Sequence, residues 1–561
     1  MTAAETLDAI ADAAWQELIA AEPYYAVKAG LPVERLPRGD LAHVDRLAAA
    51  GRRRLEQLRA LPDSGLDRTR RLTKATLTWL ADADVDGPAI YRSTFGIAPY
   101  QLSGLAMAPD LYFKSFVFDG SSRDERYLAL VSDLASAVDA QRERLEYQAA
   151  AGWRLPQPAL PTVRVTVDAI ATRVAASLLP DAGRLAQAAP ALSDRIAGLI
   201  QRELTPALQR LRAAIDGDYE AKAPASVGMG QYPGGQEAYR KALNTQLSWP
   251  ATAEEIHAKG LEEIARLSEA MAEVRSRAFG FDGEEVAFHE RLRRDPRAHA
   301  ASPEALEAIF RRHLERMLRR IPALFERTPR AEGDVARLAP ELEAGMTFGH
   351  YRPPMHDGDK GIYYYSGFDL ENRLQMNAAP LILHELLPGH HFHIARQAEL
   401  TELPKIRREI IPFTAFNEGW AEYAAGLGEE QGLYDDPYDM YGWLTHQRFV
   451  AQRLVVDTGM NAFGWSLEKA RAYMSANTLE GPAQVDSETL RYSTDLPGQA
   501  LGYRWGFLKM RELRERARDS LGDRFDIRRW HEAILSQGGL PMTVLDSSLA
   551  EWEAQERGMP A

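Results

Sequence analysis

The chain has 561 residues, 45% of them apolar and 26% charged, with a formal net charge of −13. Such a length supports a large core and more than one lobe, while the acidic balance argues against nucleic acid or an anionic membrane as a general partner. The chain holds no cysteine, which excludes disulfides and thiolate metal ligands; Met1 to Thr6 shows no basic stretch leading into an apolar core, and no uncharged apolar run approaches ~18 residues, so the expectation is a cytoplasmic protein with no membrane span.

Alanine, leucine, arginine and glutamate dominate, as in helix-rich proteins. In chain order, amphipathic helices are expected over Leu41 to Leu61, Asp124 to Ala150 and Val167 to Ile215. The basic runs Arg52 to Arg54 and Arg68 to Arg71 have acidic residues nearby and read as solvated helix faces. Leu155 to Pro161 is proline-rich and reads as a hinge. Ala223 to Gly235, rich in glycine and proline, is a second boundary, which gives an N-terminal helical lobe of 1–222 and a second lobe of 223–561. Helices resume over Ala253 to Arg277 and Pro303 to Arg320. After a glycine- and proline-rich stretch from Gly349, the aromatic segment Gly361 to Gly367 reads as a short strand. Its residue Tyr364 is a candidate for substrate binding by strand addition, with a plain structural strand as the alternative.

The most informative window follows. His384-Glu385-Leu386-Leu387-Pro388-Gly389-His390-His391-Phe392-His393 holds four of the 13 histidines. Without Pro388-Gly389 it would read His-Glu-Leu-Leu-His, the H-E-x-x-H pattern in which two imidazoles hold zinc and the glutamate works on water. Six positions apart on a regular helix, His384 and His390 would sit roughly 9 Å apart along the axis and point different ways. Pro388 lacks an N–H and disfavours helical geometry at Leu387, and Gly389 relaxes the backbone. A bulge or break at Leu387 to Gly389 is therefore predicted, turning His390 back toward His384, after which the helix resumes and carries Phe392 and Ile394 toward the core. His390 is the favoured second ligand and His391 the alternative.

A catalytic zinc usually takes three protein ligands. Asn417-Glu418-Gly419-Trp420-Ala421 resembles the third-ligand helix of zinc aminopeptidases and, more loosely, of thermolysin-like enzymes; the resemblance implies Glu418 as third ligand to one zinc ion per chain. Glu422, one turn on, could orient a ligand histidine. Further along, Pro497-Gly498 precedes a helical segment with Tyr503, a candidate to stabilise an oxyanion. Arg453, Arg491 and Arg504 are candidates to clamp a substrate carboxylate.

These strings, together with Tyr232-Pro233-Gly234-Gly235, Glu254-Glu255-Ile256-His257 and Arg453-Leu454-Val455-Val456-Asp457-Thr458-Gly459, resemble a bacterial family of zinc metallopeptidases catalogued as domain of unknown function 885. The resemblance implies a mainly α, two-lobed metallopeptidase-like fold of the gluzincin kind, with a central cleft and a small β-sheet near the metal site. It is distantly similar to thimet oligopeptidase and angiotensin-converting enzyme. One departure stands out: after Asp457-Thr458-Gly459 the family usually has a histidine, and this chain has Met460-Asn461, which makes Asn461 a candidate determinant of specificity. The expected activity is zinc-dependent hydrolysis of short peptides, with Glu385 as general base. A dedicated amide hydrolase for one modified peptide or acyl-amino acid, and a catalytically weak peptide-binding protein, are the alternatives.

Overall fold

The computed structural model describes every residue except 119–120, 182, 344–348, 357 and 559–561. The fold is mainly helical with one three-stranded sheet. No helix among the described residues is long and apolar enough to cross a membrane. Contacts divide the chain into two units, and each is taken by itself.

The first unit comprises Met1–Ala242, Gly459–Ala470 and Asp486–Pro497. Its helices include α1 (Ala3–Ala21), α2 (Leu41–Ala60), α3 (Arg68–Ser93), α4 (Ser121–Ala150) and α5 (Leu160–Ser177). Asp40 and Asp67 start α2 and α3 by accepting the N–H groups of His43 and Arg70, which satisfies donors the first turn would leave unpaired. The basic run on α2 is only partly a solvated face. Arg52 and Arg53 are exposed, but Arg54 is buried and held by Glu17 and Asp84. The stretch Val167 to Ile215, expected as helices with short loops, is broken once α5 ends at Ser177; a 3-10 turn covers Arg184–Gln187 and α-helix resumes at Leu192. Pro180 and Pro190 lie in the gap, where each removes a backbone donor.

The second unit comprises Leu243–Thr458, Arg471–Val485 and Gly498–Ala561. It opens with α6 (Ala253–Phe279), which has a capping box between Thr252 and Glu255 and ends at Gly280 in the left-handed region, φ 61°. Helix α7 (Pro303–Leu318) starts from Ser302, whose hydroxyl accepts the Ala305 N–H. The sheet holds β1 (Gly333–Arg337), β2 (His350–Arg352) and β3 (Gly361–Tyr365) in the order β1-β3-β2. β3 is parallel to β1, with Gly333 opposite Gly361, and antiparallel to β2, with Tyr351 opposite Tyr363. Period-2 alternation buries Tyr363 and Tyr365 against Phe310 of α7.

Five helices then carry the site: α8 (Ala378–Glu385), α9 (His390–Ala398), α10 (Thr414–Glu430), α11 (Pro437–Asn461, within this unit up to Thr458) and α12 (Leu501–Leu521). Helices α10 and α12 meet backbone to backbone. A Cβ on Gly419 would stand 2.6 Å from Gly506 Cα, so both positions need glycine for the helices to approach.

Candidate metal centre

The break expected in the histidine window is present. Helix α8 ends at Glu385, and Leu386 leaves helical geometry at φ −112°, ψ −87° while its N–H still bonds Ile382 O at 2.9 Å. The Leu387–Pro388 peptide is cis. Gly389 packs so tightly on the end of α8 that a Cβ would lie 1.8 Å from His384 O. Helix resumes at His390. The carbonyl of Pro388, which the break removes from the helical ladder, accepts the indole N–H of Trp420 at 2.9 Å. Phe392 is buried as expected, whereas Ile394 is only half-buried.

The break brings His390 beside His384, with ring centroids 4.6 Å apart. Both Nε2 atoms face Glu418 Oε2, at 3.6 Å from His384 and 3.3 Å from His390. One ligand atom from each of the three lies within 4.8 Å of the others. Glu418 Oε2 is buried and no hydrogen bond of good geometry reaches it; the two imidazoles face it at ion-pair distance, and a cation held between the three would complete it. A borderline-soft divalent cation with a nitrogen and oxygen donor set fits there.

A second group, His384, Glu422 and His446, also lies within metal-ligand reach. Its carboxylate is already engaged. Glu422 is fully buried, lies 3.1 Å from His384 Nδ1, and accepts from His446 Nε2 at 2.9 Å and Gln447 Nε2 at 3.0 Å. Glu422 therefore orients His384. With Nδ1 turned to this carboxylate, Nε2 is the nitrogen that faces Glu418, and it would offer its lone pair to an ion once its proton is displaced. Behind it, Gln447 Oε1 accepts from Arg504, which pairs with Glu263.

Electrostatics follow from this crowding. Burial alone would lower the His384 imidazolium, but Glu418 and Glu422 outweigh it and lift it to about 10. Burial would raise the Glu418 carboxyl, yet the imidazoles of His390 and His384 hold it well below the carboxylate range. At Glu385 burial prevails, and its carboxyl is raised despite the two imidazoles. A general base gains from a pKa nearer neutrality.

Tyr503 on α12 lies near His384 with its ring parallel, 4° between planes and 6.1 Å between centroids. Arg453 sits over the Tyr503 ring at 4.5 Å. Asp457 accepts the Gly498 N–H at 2.9 Å and so fixes the turn that leads into α12.

Five other candidates fall elsewhere. His391 turns away: its Nδ1 meets Tyr351 Oη at 3.0 Å and its Nε2 meets Ala331 O at 2.8 Å, so it ties α9 to the sheet. Arg504 is fully buried and committed to Glu263 and Gln447, so it clamps no substrate carboxylate. Tyr364 lies on the central strand, with β1 and β2 occupying both edges, and its ring stacks on His350 at 5.4 Å; β3 offers no free edge for strand addition. Asn461 belongs to the first unit, where its amide accepts from Met229 N at 3.0 Å and donates to Tyr492 O at 3.0 Å. Arg491, also in that unit, pairs with Glu488 at 3.3 Å. Sequence reasoning missed His446, Gln447 and the pin from Trp420. His446 and Gln447 sit on a long helix with no motif spacing around them, so only tertiary packing reveals them.

Residues 23–549 match the model of a family described as "Bacterial protein of unknown function (DUF885)". The chain belongs to the DUF885 family. Two solved structures resemble this DUF885 protein along nearly its whole length. One is described as "the putative lipoprotein from Colwellia psychrerythraea", at 24% identity and a TM-score of 0.87, covering 99% of this chain and 100% of that one. The other, "a putative lipoprotein of unknown function from Shewanella oneidensis", has 16% identity and a TM-score of 0.77, covering 98% and 100%. These likenesses establish a shared fold. No curated protein matches this DUF885 chain.

Proposed function

We propose that this protein is a zinc-dependent hydrolase that cleaves amide bonds in short peptides. The observation that carries the proposal is Glu418 Oε2, buried without a hydrogen bond of good geometry and faced by the Nε2 atoms of His384 and His390. Those three residues would hold the ion. Zinc in such a setting supplies Lewis acidity, which makes water nucleophilic at neutral pH and polarises a carbonyl.

The chain's own groups do the rest. Glu385, beside the bend and with no hydrogen-bond partner among the described residues, takes the proton of the attacking water and returns it to the leaving amine nitrogen. Tyr503 donates a hydrogen bond to the oxygen on which negative charge develops. Glu422 holds His384 in one tautomer and orientation. For compartment we keep the cytoplasm, on the cysteine-free composition. The lipoprotein descriptions of the two relatives point the other way, and recovery of the protein with the membrane fraction would overturn this part.

The test combines elemental analysis with digestion of a peptide library. His384→Ala and Glu418→Ala should each lower zinc content; stoichiometric zinc in both would refute the ligand set. Glu385→Gln should keep its zinc and lose at least ~100-fold in turnover; near-wild-type turnover would refute the role of Glu385. Cleavage of many peptides supports the proposal. A single accepted substrate would make the protein a dedicated amide hydrolase, and a zinc-loaded but inert protein would make it a peptide-binding protein.

A further inference from the structure

Arg373, in the second unit, is a half-buried cation with no ion pair among the described residues; Glu480, Asp369 and Glu343 attract it only from beyond ion-pair distance. Its Nη1 donates to the carbonyls of Ser366 at 2.9 Å and Phe368 at 3.2 Å. Its Nε and Nη2 make no hydrogen bond, and the guanidinium makes no ion pair, among the described residues. Arginines withdrawn from water are ordinarily paired, because stripping a charge of hydration costs free energy unless a partner replaces it. Backbone carbonyls fix this guanidinium from one side and leave the fork formed by its other two nitrogens open.

Arg373 is among the residues lining a cavity of about 380 Å³, within the range of small-molecule sites. The acids on the same wall are partly committed. Glu343 bonds Arg337 at 2.7 Å and the Gly367 N–H at 2.9 Å, and Asp369 accepts from Asn372 at 2.7 Å. Neither they nor Glu480 lies within ion-pair distance of Arg373, and Arg293 adds a second cation. The lining also includes apolar residues, among them Leu374, Met376 and Phe368, which is 53% exposed. Asn377, at the start of α8, makes no capping bond with its side chain and also lines the cavity.

We propose that this cavity binds a small organic carboxylate of amino-acid to dipeptide size, gripped by the Nε and Nη2 of Arg373 with its apolar body against Phe368 and Met376. A planar guanidinium fork matches a carboxylate in two parallel hydrogen bonds. The site uses none of the residues of the His384 centre, so it stands whether or not the hydrolase reading does.

The test is calorimetric titration of the full chain in the presence of EDTA, which prevents turnover. The probes are N-acetyl-leucine, N-acetyl-phenylalanine and N-acetyl-alanyl-phenylalanine, each compared with its C-terminal amide. At least one acid should bind about 10-fold or more tighter than its amide, and Arg373→Gln should weaken that acid about 10- to 100-fold and abolish the preference. Asn377→Asp leaves Arg373 intact and adds an N-terminal carboxylate that suits the helix, so it should fold and should weaken the acid without affecting the amide. The proposal is overturned if no probe binds at millimolar concentration, if acids and amides bind alike, or if the preference survives either substitution. Should Arg373→Gln fail to fold, Asn377→Asp decides.

Discussion

Replacing Glu422 by glutamine tests whether the network behind His384 sets metal affinity. The carboxylate is fully buried and takes three contacts, from His446 Nε2 at 2.9 Å, Gln447 Nε2 at 3.0 Å and His384 Nδ1 at 3.1 Å. Because a carboxylate only accepts, His446 Nε2 and Gln447 Nε2 donate to it, while His384 Nδ1 faces it at ion-pair distance. An amide offers a single acceptor oxygen; placed at Oε1 it keeps His446 and His384 and loses Gln447, placed at Oε2 it keeps His446 and Gln447 and loses His384, so Glu422→Gln leaves about one of the three nitrogens without a partner. Gln447 cannot turn its own amide to compensate, because its Oε1 accepts from Arg504. At ~1–3 kcal/mol for a buried unsatisfied donor, the expected loss of stability is ~1–3 kcal/mol. Loss of the carboxylate that orients a ligand histidine should weaken zinc binding ~10- to 100-fold, or ~1.4–2.7 kcal/mol. Chelator-competition titration reads the affinity, and denaturant unfolding of the metal-free protein reads the stability. His446→Phe, which leaves the Glu422–His384 contact in place, should reduce zinc affinity less than about threefold. A zinc Kd for Glu422→Gln within threefold of wild type would refute the reasoning.

Two further outcomes follow from the geometry. Gly389→Ala places a Cβ 1.8 Å from His384 O, so the bend must open and His390 must move; zinc stoichiometry should fall and the thermal midpoint drop by several degrees, and an unchanged zinc content would show that the bend tolerates a side chain. Asp495, in the first unit, has its carboxyl raised to about 7 by burial, against bonds from Tyr100 and Gln101 that lower it. Since the folded state holds this proton more tightly than the unfolded chain, its contribution is fully present at low pH and is lost as pH rises from about 4 to about 7, by at most ~4 kcal/mol. Asp495→Asn should therefore gain stability relative to wild type between pH 5 and pH 8 in denaturant melts, and parallel pH profiles would sink the assignment.

What could be read from the sequence is what local covalent chemistry dictates. Pro388 and Gly389 constrain the backbone wherever they stand, so the break and the return of His390 were legible before any packing was known. Glu418 and Glu422 lie one turn apart in a recognisable string, and their shared face follows from helical pitch alone. The misreadings concern properties that sequence does not encode locally. Arg504 looks the same on paper whether it faces a cleft or is buried against Glu263. Tyr364 reads correctly as strand, but only the pairing order shows that both edges of β3 are taken. Nothing in the pattern around His446 distinguishes it from any other helical histidine; it acquires a role only when α11 packs beside α10.

The interleaved chain has a consequence for synthesis. The first unit draws on Met1–Ala242 and then on Gly459–Ala470 and Asp486–Pro497. Its last segment is translated 255 residues after its main body ends at Ala242, the difference between positions 497 and 242. At about 5–20 residues per second, the ribosome takes roughly 13–50 s to supply it. Until position 461 is made the nascent first unit lacks the Asn461 that meets Met229, and until position 495 it lacks the Asp495 that meets Tyr100, so its surface is incomplete while the second unit is being made. Stalled chains ending at Thr458 should be cut by protease within residues 1–242, and chains released past Pro497 should resist; equal resistance in both would mean that the N-terminal segment folds before its returning strands of chain arrive. A protein built this way depends on protection during translation, and its two units cannot be separated by a single cut.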